Sequence, residues 1–308
     1  MDIKPVRNQF YDCLSANLIT IASYKKKDYY MWFSNRLNFG YLQQEEVWNI
    51  LRDYHGITKY EGKFSSASDF ISYIKEELSQ DNPIMLATDI YNCPWNVYYK
   101  KRHNFHYILI IDYTKDAFIC LDPFFSSLPQ KFFFHELDTN IKCIVLKFGP
   151  QHESLYESLF YLIYFLSLYA NKMIVGDLDT NLVFKVFSNT ERIENEYDTY
   201  GMYGIPAVKL LASLDNNREC FIEMLKQIQT LFRININEFI DRINNISLRL
   251  RILRIKILRA ALDKNKWDIV NDNYAVFDDI TQNEKMLVLE FLIYIKNIIT
   301  KVHKNEIY

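Results

Sequence analysis

The feature that most restricts how this chain can fold is a change of pattern at Gly149-Pro150. Ahead of it, four short runs rich in β-branched and aromatic residues follow one another: 83–89 (PIMLATD), 105–113 (FHYILIIDY), 117–121 (AFICL) and 142–148 (KCIVLKF). Runs of this length bounded by turn chemistry read as antiparallel strands, and TKD at 114–116 is the right length for a hairpin loop between the second and third. Beyond Gly149-Pro150 nearly everything has helical spacing, without an internal repeat. The expectation is an α+β protein: a domain over 1–149 with an antiparallel sheet, then an all-α domain over 150–308.

Helical patterns also precede the strands. Residues 13–25 (CLSANLITIASYK) place Leu14, Leu18, Ile21 and Ala22 at helical spacing, with Asp12 positioned as N-cap. A second helix is expected around 43–55. A third covers 66–79, with Ser68 as a possible cap and Phe70, Ile71, Ile74 and Leu78 on one stripe. The first third therefore reads as mainly helical.

Composition supports packing and narrows function. Of the 308 residues 49% are hydrophobic, with 23 Tyr and 22 Phe against only 7 Gly and 7 Pro, so long elements and a sizeable core are expected. A net charge of −2 gives no basic excess for nucleic acid. The five cysteines (Cys13, Cys93, Cys120, Cys143, Cys220) form no CxxC pair and are odd in number, which fits a reducing compartment better than a disulfide framework. The opening MDIKPVRNQFYD has no apolar core of a secretory signal, so the expected location is the cytoplasm. The oily stretch 159–175 carries several tyrosines, Asn171 and Lys172, and reads as a buried helix, not a membrane span.

One constellation carries chemistry. A thiol attacks as thiolate, which a helix N-terminus favours by directing unpaired N–H groups at the sulfur. Cys13 would sit at such a start. His106, early on one strand, could exchange the proton, and Asp122, sixteen residues on and just past the next strand, could fix the imidazole. Each residue alone has a plainer reading: a small core cysteine, a core histidine and a turn Asp-Pro. Together they follow the order that papain-like thiol enzymes use. His103 competes as base, but Arg102 and Asn104 beside it suggest solvent. His103 and His106 lack the partners of a zinc site, so neither metal nor cofactor is expected.

The fragments YDCLSANL, HYILIIDY and CLDPFF resemble the Cys, His and Asp motifs of the peptidase domains in bacteriocin exporters. The longer run from DNPIMLATDIYNCPW through HYILIIDYTKDAFICLDPFFSSLP resembles the butirosin biosynthesis protein H family, as do MWFSNRLNFGY at 31–41 and YGIPAVKLLASL at 203–214. Of that family's glycine-rich stretch only Gly40 is kept, and Asp112-Tyr113 replaces its usual Gly-Tyr. The resemblance implies a papain-like N-terminal domain with Cys13, His106 and Asp122 as catalytic residues and a helical C-terminal domain. It implies transfer of an acyl group from an acidic acyl or peptidyl carrier protein to a small amine. Asp89 and Tyr41, which lie in the resembling stretches, are the candidate substrate contacts. The exporter peptidases place a Gln about six residues before the Cys; Gln9, four before it, is the oxyanion candidate, with Asn8 as rival.

The cationic segment 247–262 (Arg249, Arg251, Arg254, Lys256, Arg259) could receive an acidic carrier. The cations spread around more than one face, so a buried helix with paired or snorkelling charges is the favoured reading. Two rival functions stay open: a cysteine peptidase or amidase, and a noncatalytic protein keeping the fold.

Overall fold

A computed structural model describes residues 1–34, 36, 44–150, 160, 162–164, 166–168, 170, 206–262 and 269–303. The chain divides into two compact units. The first takes Met1–Tyr29 and Trp48–Glu153, the second Tyr30–Val47 and Ser154–Tyr308. A single cut at 149/150 thus differs in two ways: the later division falls at 153/154, and residues 30–47 count with the helical unit. The protein is α+β, with a six-stranded antiparallel sheet in the first unit and long helices in the second.

Helix α1 spans Cys13–Tyr24, and Asp12 caps it as expected: its carboxylate accepts the Ser15 N–H at 2.7 Å. Helix α2 spans Gln44–His55 and α3 Ala67–Ser79. The cap of α3 is Ser66, whose Oγ accepts the Asp69 N–H, whereas Ser68 only hydrogen-bonds the Ser66 hydroxyl. The expected Ser68 cap is therefore corrected by two residues. An N-cap serves the N–H groups two or three positions ahead, and Ser66 alone precedes the first helical residue.

Strand β1 (Ile57–Phe64) separates α2 from α3, so the first third is not wholly helical. The remaining strands are β2 (Ile84–Asp89), β3 (Phe105–Tyr113), β4 (Ala117–Leu121), β5 (Gln130–Phe133) and β6 (Ile141–Phe148), in the order β1-β6-β2-β3-β4-β5. The patterns at 83–89, 105–113, 117–121 and 142–148 correspond to β2, β3, β4 and β6 within a residue, and 114–116 is the β3–β4 loop. The two strands without an expected counterpart, β1 and β5, are the sheet's edges. An edge strand buries little, and β1 carries Lys59, Glu61 and Lys63, the charges that keep an open edge from pairing with other chains.

Phe70 and Ile74 of α3 meet Ile84, Leu86, Ile108, Ile110, Phe118, Cys120, Phe132 and Val145 of the sheet in one fully buried cluster. Each large side chain so buried stabilises the fold by about 1.5–3 kcal/mol. Gly56 joins α2 to β1 at φ +65°, and a Cβ there would lie 2.4 Å from the Pro150 carbonyl oxygen. Its own carbonyl accepts the Gly149 N–H at 2.7 Å. The close approach admits only glycine and pins the end of β6 beside the start of β1.

In the second unit α4 (Pro206–Phe232), α5 (Asn237–Leu262) and α6 (Ile269–His303) pack in sequence, α4 on α5 and α5 on α6. The described residues of 159–175 are helical. Among the described residues no helix is long and apolar enough to cross a membrane. Arg218 and Glu284, both buried, form a two-pronged ion pair at 2.8 and 2.6 Å. Of the five cations at 247–262, Arg251 grips Asp215 and Glu219, Arg254 lies 3.8 Å from Asp215, and Arg249 pairs with Asp279. Lys256 and Arg259 are exposed. Pairing within the helical unit thus accounts for three of the five.

Candidate active site

Cys13 is the first residue of α1 and is partly exposed, whereas Cys93, Cys120, Cys143 and Cys220 are buried. Burial pushes the thiols of Cys93, Cys120 and Cys143 up, Cys143 to about 12. The Asn17 amide, one helical turn along from Cys13, donates to the Cys13 carbonyl and to the Tyr107 carbonyl, both at 2.8 Å. It therefore clamps the start of α1 to β3, beside His106.

His106 and Asp122 meet through strand register. Leu109 pairs with Leu121, so continuing the ladder by one residue sets Asp122 opposite Ile108, and His106 becomes its diagonal neighbour on the same face. His106 Nε2 lies 2.9 Å from Asp122 Oδ2, with His106 only 2% exposed and Asp122 fully buried. With Nε2 committed to Asp122, Nδ1 is the ring nitrogen left to exchange a proton with Cys13, whose side chain also acts on the imidazole. Burial pulls the imidazole down, but the hydrogen bonds and charges of Asp122 and Cys13 outweigh it and raise His106 to about 9. At neutral pH the raised value keeps this histidine protonated beside the Asp122 carboxylate.

Asp122 is satisfied on both oxygens. Oδ2 also accepts the Trp95 indole N–H at 2.8 Å, and Oδ1 accepts the Phe125 N–H at 3.2 Å. Phe125 and Phe124 tilt against the imidazole with ring centres 5.1 and 6.1 Å away, and both rings stay partly exposed.

Among the described residues no hydrogen bond joins the other candidates to this trio. Asp89 caps the turn after β2, accepting the Tyr91 and Asn104 N–H groups, each at 2.9 Å. Burial raises its carboxyl, and those N–H groups together with His103 more than reverse the rise. His103 binds Asp89 at 2.9 Å, stacks on Tyr91 at 4.3 Å and is largely exposed. Gln9 is exposed in a turn before α1, and Tyr41 lies outside the described residues. Sequence reasoning missed Asn17 and Trp95. Asn17 left a faint signal, the one amide side chain of α1, four positions after Cys13; the Trp95 contact reaches across the whole β3–β4 hairpin and left none.

Residues 19–123 match the family model described as Butirosin biosynthesis protein H, N-terminal. The matched stretch takes in His106 and Asp122 and begins after Cys13. No curated protein matches the chain. Over residues 19–123 the chain is therefore similar to the N-terminal domain of the butirosin biosynthesis protein H family.

Proposed function

We propose that this chain is a thiol-dependent acyltransferase of antibiotic-type biosynthesis, with a papain-like domain that moves an acyl group from a carrier-bound thioester to a small amine. The observation that carries the reading is the buried His106, bonded through Nε2 to Asp122, with Cys13 at the start of α1 tied by Asn17 to Tyr107, the next residue of β3. The family match, to a protein of butirosin biosynthesis, supports the biosynthetic setting.

In the proposed reaction the Cys13 sulfur attacks the thioester carbonyl while His106 holds the proton. The tetrahedral intermediate collapses by breaking the carrier C–S bond, and His106 Nδ1–H protonates the departing thiolate. The amine then attacks the acyl-Cys13 carbonyl and passes its proton to His106, and the C–S bond to Cys13 breaks to restore the starting pair. Thioester exchange is nearly balanced in energy, so the first half-reaction needs positioning more than driving force. Asp122 keeps the ring aimed and offsets its charge throughout.

The test is mass spectrometry of the protein after incubation with an acyl-pantetheine thioester and then an amine. The expected result is an acyl group on the Cys13 peptide that the amine discharges as amide. A protein that stays unacylated with intact thioester rejects the reading, and discharge to free acid in the presence of amine points to a hydrolase instead.

The pH dependence follows from His106. Above about 9 the imidazole loses the proton it must give the leaving group, so kcat/KM for the thioester should fall along an alkaline limb near that value. Because the folded value lies above the ordinary 6.5, the stability this pair contributes is fully present below about 6.5 and is lost as pH rises through about 9. Urea unfolding at pH 6 and pH 10 measures that loss, and Asp122→Ala should remove the difference attributable to His106.

A further inference from the structure

We propose that Trp95 is a positioning residue that tempers the Asp122–His106 pair by sharing one carboxylate oxygen with the imidazole. The inference rests on the reading of His106 as the base and acid of the site. Trp95 Nε1 lies 2.8 Å and His106 Nε2 2.9 Å from the same Asp122 Oδ2. Asp122 is fully buried, so bulk solvent does not reach that oxygen, and each donor withdraws charge that the other would use.

Trp95 is held for this role. It follows the turn after β2, packs against the sheet core, and sets its ring edge-on to Phe132 at 6.3 Å. The carboxylate does not depend on Trp95 for its position alone, because Oδ1 is fixed separately by the Phe125 N–H. Removing the indole N–H therefore leaves Asp122 in place and concentrates its charge on His106. The imidazolium becomes harder to deprotonate and a poorer proton donor to the leaving thiolate.

Beside burial, which lowers it, the groups that set the proton affinity of His106 are Asp122, through Oδ2, and Cys13. Tyr107, next on β3, has its phenol pushed up by burial and by the nearby Cys13 and Glu61, so it stays neutral and does not compete.

The experiment is a histidine-labelled NMR titration of the full chain, comparing wild type with Trp95→Phe. A second variant places 3-benzothienylalanine at position 95, with sulfur replacing the N–H in a ring of the same shape. The expected result is a His106 midpoint about one pH unit higher in both variants, with the other histidines unmoved. In transfer assays the alkaline limb should move with it, and kcat should fall about tenfold with KM unchanged. A His106 midpoint that stays in place, or moves down, in folded variants overturns the proposal. The titration needs no turnover, so it decides on Trp95 even where transfer is never observed. Transfer that depends on Cys13 beside an unmoved midpoint rejects Trp95 alone.

Discussion

Cys13→Ala is expected to lower single-turnover acyl transfer by about 10⁴-fold or more, leaving only the rate that binding and the remaining polar groups support. The substitution removes the attacking atom and little else. The Asn17 amide still bonds the backbone carbonyl at position 13, so the clamp between α1 and β3 persists and the fold should be unchanged by circular dichroism. His106→Ala should be nearly as damaging, since the thiol loses its proton acceptor and the departing thiolate its donor. The two losses should not add in the double variant, because the pair acts as one unit. Full activity in Cys13→Ala, with activity abolished by His103→Ala, would transfer the chemistry to the exposed His103–Asp89 pair.

The second large effect concerns Asp122, where activity and stability should part company with the substitution chosen. Asp122→Ala leaves the buried His106 ring and the Trp95 indole N–H without their acceptor, while the Phe125 N–H keeps its bond to the backbone carbonyl of residue 122. Breaking a buried pair from one side costs about 3–5 kcal/mol, which for a chain of this size lowers the melting temperature by roughly 10 °C. His106 should fall from about 9 well toward its ordinary value, and transfer should drop by about 10³-fold. Asp122→Asn should be milder in rate, about 10-fold to 100-fold, because its carbonyl can still accept from both His106 and Trp95. It is not free of cost. The new amide NH₂ then faces the Phe125 N–H across about the 3.2 Å now spanned by a hydrogen bond, and two donors are opposed. Thermal melts and single-turnover rates on both variants check these expectations; an Asn variant less active than the Ala variant would contradict the orienting role.

Much of this arrangement was written locally. The α1 cap is a short-range event, Asp12 reaching Ser15, and three-residue spacing is enough to foresee it. Central strands β2, β3, β4 and β6 had to be apolar because both faces or most of one are covered, so their composition announced them. Edge strands β1 and β5 had no such requirement. Their backbone pairs on one side only, and polar side chains such as Lys59, Glu61 and Lys131 suit the open edge. The cationic helix illustrates the same limit. A wheel shows that Arg249, Arg251 and Arg254 do not share one face, but only the packing of α4 and α6 against α5 supplies Asp215, Glu219 and Asp279 as their partners.

By itself the sequence determined the α+β class, the helix that begins at Cys13 and the two strands whose hairpin returns Asp122 toward His106, because each depends on periodicity, capping or a short loop. Tertiary structure alone decided which nitrogen of His106 faces Asp122, that Asn17 ties α1 to β3, that Trp95 shares Oδ2, and that residues 30–47 join the helical unit. Those contacts join residues 27 or 90 positions apart, or set a ring's orientation within a packed interior. Their energy comes from the absence of water around them, and burial of that kind exists only after the sheet and helices have closed on one another.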